Sequence, residues 1–267
     1  MAAHPNTHSG RLLYRHARLL LRVSKNELRA RYAGATLGAV WAVLTPLMLL
    51  ATHAAVYSLI FKVRVPGLTG LDYVLFIFSG LVPFTMTSEA VTAGLSSVLS
   101  SKSVWTNTVF PVDLAPVKAV LLSQANMVVG LAFILIGGAI TGRLTWTALT
   151  LPFLWGAQVM SLIGLNWMLA MANLLFRDLQ NVIGVLLMML MVGSPIAYTT
   201  EMVPQQLRFL VELNPFAHFV HAYQAVLVLG EWPSPVNVAV VVGISLLFYS
   251  IGGFLFARSK PVILDYV

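Results

Sequence analysis

The sequence predicts an all-α integral membrane protein with six transmembrane helices. An N-terminal amphipathic helix lies in the membrane interface, and re-entrant helices stand between spans five and six. Three observations carry this reading. Of 267 residues, 58% are hydrophobic and only 9% charged, against about 25% charged in an ordinary soluble domain. Mean hydropathy is +0.86. The sixteen Lys and Arg residues are clustered, seven of them between Arg11 and Arg31. So few charges cannot solvate a soluble surface, and lipid is the solvent for most of the chain. At about 20 residues per crossing, the length leaves room for roughly six spans. The net charge of +7 is local and signals an interface helix rather than nucleic-acid binding. With no cysteine, disulfides, thiolate metal sites and a Cys nucleophile are excluded.

Residues 1–35 read as a cytoplasmic N-terminus and 36–267 as the transmembrane domain. Arg11, Arg15, Arg18, Arg22, Lys25 and Arg29 recur at intervals of four and three, which puts them on one helical face with leucines around the rest. Such a helix lies in the membrane plane with its cations toward anionic headgroups. It serves as a topology anchor, or also docks a partner. The Leu19–Leu21 run is broken at once by Arg22, so no cleavable leader is expected. The first span covers 36–61, with Pro46 inside it to bend the helix. A loop with Lys62, Arg64, Pro66 and Gly67 leads to a second span, 73–99. Pro83, Glu89 and many Ser and Thr residues keep that span from facing lipid all round. Residues 100–113 form a polar connector with a short helical pattern. The third span covers 114–140, and a turn at Gly142-Arg143 opens the fourth, 146–175. After the Phe176-Arg177-Asp178 break comes a fifth span, 179–198, dense in Leu and Met. The last, 236–257, ends in Arg258-Ser-Lys260-Pro261.

Between the fifth and sixth spans, only 217–230 is continuous enough to be helical in the membrane. At about 1.5 Å per residue it reaches roughly 21 Å, short of a ~30 Å hydrocarbon core. Two short helices that dip in and return fit better than a plain seventh helix, and such backbone must be buried in protein or line a wet cavity. Charge agrees: with six spans and both termini inside, twelve cations are cytoplasmic, and only Lys62, Arg64, Arg143 and Arg208 are outside. A seventh span would carry Arg258 and Lys260 out.

Motifs for covalent chemistry are missing. There is no G-x-x-x-x-G-K-[ST] phosphate loop, no H-E-x-x-H and no G-x-S-x-G. His53, Glu89, His218 and His221 remain at membrane depth, where an ionisable group is a functional candidate by default. Glu89 is a proton carrier, a gate, or a packing residue hydrogen-bonded near Thr85, Thr87, Ser88 and Thr92. His218 and His221 share a helical face at i, i+3, but without a third ligand they read as hydroxyl or headgroup contacts and not as a metal site. Aromatics crowd the span ends as interface anchors. A minority facing a pore could stack on sugar rings.

The basic helix running into R-Y-A-G-A-T-L-G-A-V-W-A-V-L-T-P (Arg31–Pro46) resembles the start of permease subunits of ABC-2 type exporters. The polysaccharide branch, exporting O-antigen, teichoic acid or capsule, is the most similar. The likeness continues through Phe61–Gly67, Asn107–Val117, Leu175–Asn181, Ser194–Tyr198 and Leu213–Phe216, nearly the whole chain in order. The resemblance implies a homodimer in the bacterial inner membrane that pairs with two copies of a separate ATPase. That partner would bind ATP and Mg, and this chain would hold no cofactor. Residues 100–113 would be the coupling helix, with Lys102, Trp105, Asn107 and Phe110. Glu27 and the Arg177-Asp178 turn would complete the ATPase contact. The re-entrant pair 199–235, with Pro215, Phe216, His218 and His221, would be the outer gate. Spans one and five would line the channel for a lipid-linked glycan, with Trp41, Tyr57, Phe84 and Tyr198 as its aromatic lining. An ABC-2 exporter of drugs, haem or lipids shares these features. From another class, a membrane-embedded glycosyl- or acyltransferase would use His218, His221 or Glu89.

Overall fold

A computed structural model describes the backbone of residues 9–63, 65–68, 70–100 and 111–266, and among these all regular structure is helical. Helix α1 (Ser9–Arg31) follows the cation spacing: Arg18, Arg22, Lys25 and Arg29 are exposed, while Leu20 and Ser24, one turn apart, are buried. Helix α2 (Trp41–Ala55) holds Pro46 inside it and runs on through a π-helical turn, Val56–Ile60. Then come α3 (Leu71–Ser100) and α4 (Leu114–Thr141). A 3-10 turn, Trp146–Thr150, leads into α5 (Leu151–Leu175), followed by α6 (Leu179–Val192). The short α7 (Arg208–Leu213) precedes α8 (Pro215–Gln224), which a second π-helical turn extends over Ala225–Leu229. Helix α9 (Pro235–Tyr266) ends the chain.

Among the described residues, five stretches are long and apolar enough to cross a membrane: Trp41–Ile60, Leu71–Ser100, Leu114–Thr141, Trp146–Leu175 and Pro235–Lys260. The expected fifth span is shorter than 179–198. Helix α6 has 14 residues and stops before Gly193-Ser194-Pro195, because the residue ahead of a proline is pushed out of the helical region. The last helix departs the other way, continuing past Pro261 to Tyr266. Lys260 pairs with Asp113 at the start of α4, holding the turn before the proline in place.

The polar second span does not face lipid. In α3, 78% of the most apolar window is buried, against 11% in α2 and 22% in α9. Its backbone is gripped by a row of amides on α5. Gln158 donates to the Pro83 carbonyl at 3.0 Å, Asn166 to Ala90 at 3.0 Å and Asn173 to Leu95 at 3.0 Å. Spaced eight and seven residues apart, these side chains stack on one face of α5, where a hydrogen bond in hydrocarbon has no water to replace it. On its other side α5 meets α9 backbone to backbone, at Gly164 and Gly252. At the end bearing the Gly142 turn, Arg143 bonds Asp72 (2.8 Å) and the Gly67 carbonyl (2.9 Å), which ties two loops together. Gly142 and Gly67 hold φ of 71° and 77°, a conformation glycine adopts without steric cost.

Candidate functional site

Three groups of residues carry candidate roles, and they sit at different levels of the bundle. The first is the junction of α1 with α3 and α4. Arg31 Nη1 donates to Glu89 Oε1 at 2.8 Å, and Asn126 Nδ2 donates to the other carboxylate oxygen. One helix turn earlier, Glu27 pairs with Lys118 at 2.8 Å. Glu89 is therefore a paired carboxylate joining the interface helix to the central helix. The expected hydroxyl partners are engaged elsewhere: Thr85 and Thr92 bond carbonyls of their own helix, and Thr87 accepts from Gln158, as short hydroxyl side chains do within helices. Glu27 is half exposed beside Lys118. Arg177 and Asp178 are exposed in the α5–α6 turn. The remaining coupling candidates, Lys102, Trp105, Asn107 and Phe110, lie outside the described residues.

The aromatic candidates fall at two levels. Trp41 is the first residue of α2 and is half-buried. Tyr57, at the opposite end of that helix, packs its ring 5.9 Å from that of Phe61. The Tyr73 hydroxyl donates to the Ala197 carbonyl at 2.9 Å, and Tyr198 to Val192 at 3.2 Å. Tyr73 on α3 is thus bound to the segment after α6, next to Tyr198. Phe84 is inside the chain, 3% exposed, with its ring edge-on to Phe216 at 6.3 Å.

The third level is the segment from Tyr198 to Pro235. Asn214 caps α8, accepting from the Phe216 amide at 3.0 Å, while its own amide donates to Ser194 at 2.9 Å and Leu190 at 3.2 Å. Pro215 occupies the first helical position, where its missing N–H costs nothing. One short motif, Asn214-Pro215, thereby starts α8 and anchors it to the end of α6. His218 contacts the Glu212 carbonyl and Asn237 Oδ1, both at 2.9 Å, and His221 contacts Thr200 at 2.8 Å. The two histidines thus hold α8 to the flanking loop and to α9. Among the described residues no group of three or more His, Cys, Asp or Glu could hold a metal ion. Sequence reasoning missed Gln158, Tyr223 and Gln224. Tyr223 is fully buried and donates to Gln158 at 2.8 Å, and Gln224 donates to the Pro195 and Ile196 carbonyls at 3.0 and 3.1 Å. The signal for Gln158 was the recurrence of amides at Gln158, Asn166 and Asn173 in one apolar helix, and Tyr223 and Gln224 carried no such pattern.

The family model described as ABC-2 type transporter matches residues 18–228. The chain belongs to that family. The match runs from within α1 into the π-helical turn after α8, so it takes in the first two levels and most of the third. The O-antigen export system permease protein RfbA of Myxococcus xanthus is 27% identical over 219 residues, covering 81% of this chain and 82% of that one. A protein of the same name from Klebsiella pneumoniae is 25% identical, with 77% and 78% covered. The polysialic acid transport protein KpsM of Escherichia coli is 21% identical, with 89% and 92% covered. As an ABC-2 chain with several apolar helices, this is a multi-pass membrane protein.

Proposed function

We propose that this ABC-2 chain is the permease subunit of an ATP-driven exporter that moves lipid-linked polysaccharide, of O-antigen, capsule or teichoic-acid type, across a bacterial inner membrane. The observation that carries the reading is the extent of the likeness: about four-fifths of this chain aligns with about four-fifths of relatives named for O-antigen export. A chain without a phosphate-loop motif needs an external motor, so two copies of a separate ATPase would press on residues 100–113, Glu27 and the Arg177-Asp178 turn of a homodimer, with ATP and Mg bound in the motor. The short α6 would complete a sixth span together with the segment to Tyr198. Helices α7 and α8 would dip into the outer leaflet as the gate, and both termini would lie in the cytoplasm. The ion-paired α1 junction supports this division: it ties the helix expected to face the motor directly to the central helix.

The deciding experiment is deletion of the chain in its own host. Full-length glycan should then accumulate inside the cell and disappear from the surface, and depletion of the partner ATPase should give the same result. Surface glycan at normal level in both strains would overturn the export reading. Export independent of any ATPase would favour a transferase instead.

A hydrated glycan needs a pore lined with groups that hold it weakly at many points, the same logic that governs ion conduction. Trp41, Tyr57 and Tyr198 would supply ring faces at the two mouths of that pore, with Phe84 supporting the gate from behind. Trp41→Ala or Tyr198→Ala should lower export while protein level and dimerisation stay normal, and the Phe variants should keep most of it because a ring face remains. Normal export from Ala variants at Trp41, Tyr57 and Tyr198 would make these residues membrane anchors only.

A further inference from the structure

Beside the gate, between the Thr199–Glu201 segment, α8 and the start of α9, lies a cavity of about 490 Å³. That volume falls in the usual range of small-molecule sites, about 300–1,000 Å³. Its lining includes Glu201, His218, Gln224, Glu231, Trp232 and Asn237. The walls are held by the molecule's own bonds: His218 to Asn237, His221 to Thr200, and Gln224 to the Pro195 and Ile196 carbonyls. Two carboxylates and one indole ring remain at the rim. Trp232 is 66% exposed, and Glu231 is exposed beside it. Glu201 is kept below the usual carboxylate range by a hydrogen bond from Thr199 and by its backbone, so it stays an acceptor at neutral pH.

We propose that this cavity is a saccharide-binding subsite, selective for uncharged sugar units of the exported chain. The chemistry selects the ligand. An indole face stacks on the apolar face of a pyranose ring, carboxylates accept charge-assisted hydrogen bonds from sugar hydroxyls, and the amides of Asn237 and Gln224 add polar character to the wall. A lipid tail would desolvate the rim carboxylates Glu201 and Glu231 and offer them no donor. A phosphate or a uronic acid would meet two like charges in Glu201 and Glu231. Metal binding lacks a ligand set among the described residues. The inference rests on the glycan-export reading above and narrows it: the exported repeat is uncharged at the unit that occupies this site, unlike polysialic acid.

The test uses the full-length chain in lipid nanodiscs, titrated by saturation-transfer NMR with three neutral trisaccharides (maltotriose, mannotriose and chitotriose) and with trigalacturonate. At least one neutral trisaccharide should bind saturably. Trp232→Ala should weaken it about tenfold, as loss of a stacked ring does, and Trp232→Phe should restore most of it. Trp146→Ala, which removes another exposed ring outside the cavity, should leave binding unchanged. Glu201→Gln/Glu231→Gln should relieve the exclusion of trigalacturonate, which should bind wild type at least about tenfold more weakly than the neutral sugar. Failure of all three neutral sugars to saturate, equal binding by Trp232→Ala, or equal binding of trigalacturonate to wild type would each overturn the proposal. These outcomes are separate from loss of the export reading, which is read from surface glycan in the deletion strain.

Discussion

Gly252→Leu should remove most of the folded protein from the membrane, the largest effect expected of any single substitution here. A Cβ on Gly252 would lie 2.0 Å from the Gly164 carbonyl oxygen and 2.7 Å from its carbonyl carbon. The reciprocal Cβ on Gly164 would lie 2.2 Å from the Phe248 carbonyl and 2.4 Å from the Tyr249 nitrogen. Every obstructing atom is backbone, so no rotamer change opens space, and the α5–α9 crossing must separate. Overpacking a well-packed core costs about 1–3 kcal/mol when side chains can yield, and here the cost should exceed that range. Helices in lipid associate largely through such close packing of small residues, and separating them here would also pull Trp167 on α5 away from Tyr249 and Phe256 on α9. The measurement is the monodisperse fraction and thermal midpoint in detergent, with Gly243→Leu as control, because nothing lies within 4 Å of that Cβ position. A Gly252→Leu protein that melts with the wild type would show that the two helices do not cross at these glycines.

The second large effect is expected at the pair between α1 and α3. Glu89 accepts from Arg31 and Asn126, with the carboxylate 25% exposed and Arg31 43% exposed. A pair at that depth lies between a surface bridge worth about 0–1 kcal/mol and a buried one whose breakage costs about 3–5 kcal/mol, so removing one partner should cost about 1–3 kcal/mol. Arg31→Ala should be worse than Glu89→Gln, because it strands a carboxylate at membrane depth, whereas the glutamine keeps a neutral acceptor for Asn126. Both variants should remain in the membrane, since α1 also holds α4 through Glu27 and Lys118. Export should fall severalfold as the interface helix loosens from the central helix. The swap Arg31→Glu/Glu89→Arg should recover part of the loss. Coupling between the two positions is read from a double-mutant cycle on export and on cross-linking between α1 and α3. Independent, additive effects would show that the pair does not transmit anything.

Much of the architecture was legible in the sequence because lipid imposes local rules. A cation interval of four and three residues can only form one face of a helix, and α1 follows it to Arg31. Apolar runs longer than a bilayer crossing became α2, α3, α4, α5 and α9, with α9 running on past its expected end to Tyr266. The polarity of the second span required burial, and α3 is the most buried of the five. Local chemistry also set the one shortened span, through Gly193-Ser194-Pro195.

Which groups meet depends on how the helices pack. Arg31 and Glu89 are 58 residues apart, Tyr223 and Gln158 65, and Lys260 and Asp113 147. No local periodicity encodes such pairs. An ionisable residue in an apolar segment announces that it needs a partner, because the unpaired charge is costly there, but the partner depends on which helices lie side by side. The same holds for the amide row on α5, whose acceptors are backbone carbonyls that every sequence possesses, and for the cavity beside α8, whose walls come from segments distant in sequence. The helices and their solvent follow from local sequence, because each helix satisfies its own backbone and bilayer thickness sets its length. Helix order in space, the pairing of intramembrane charges and the shape of the cavity came from packing between surfaces distant in sequence.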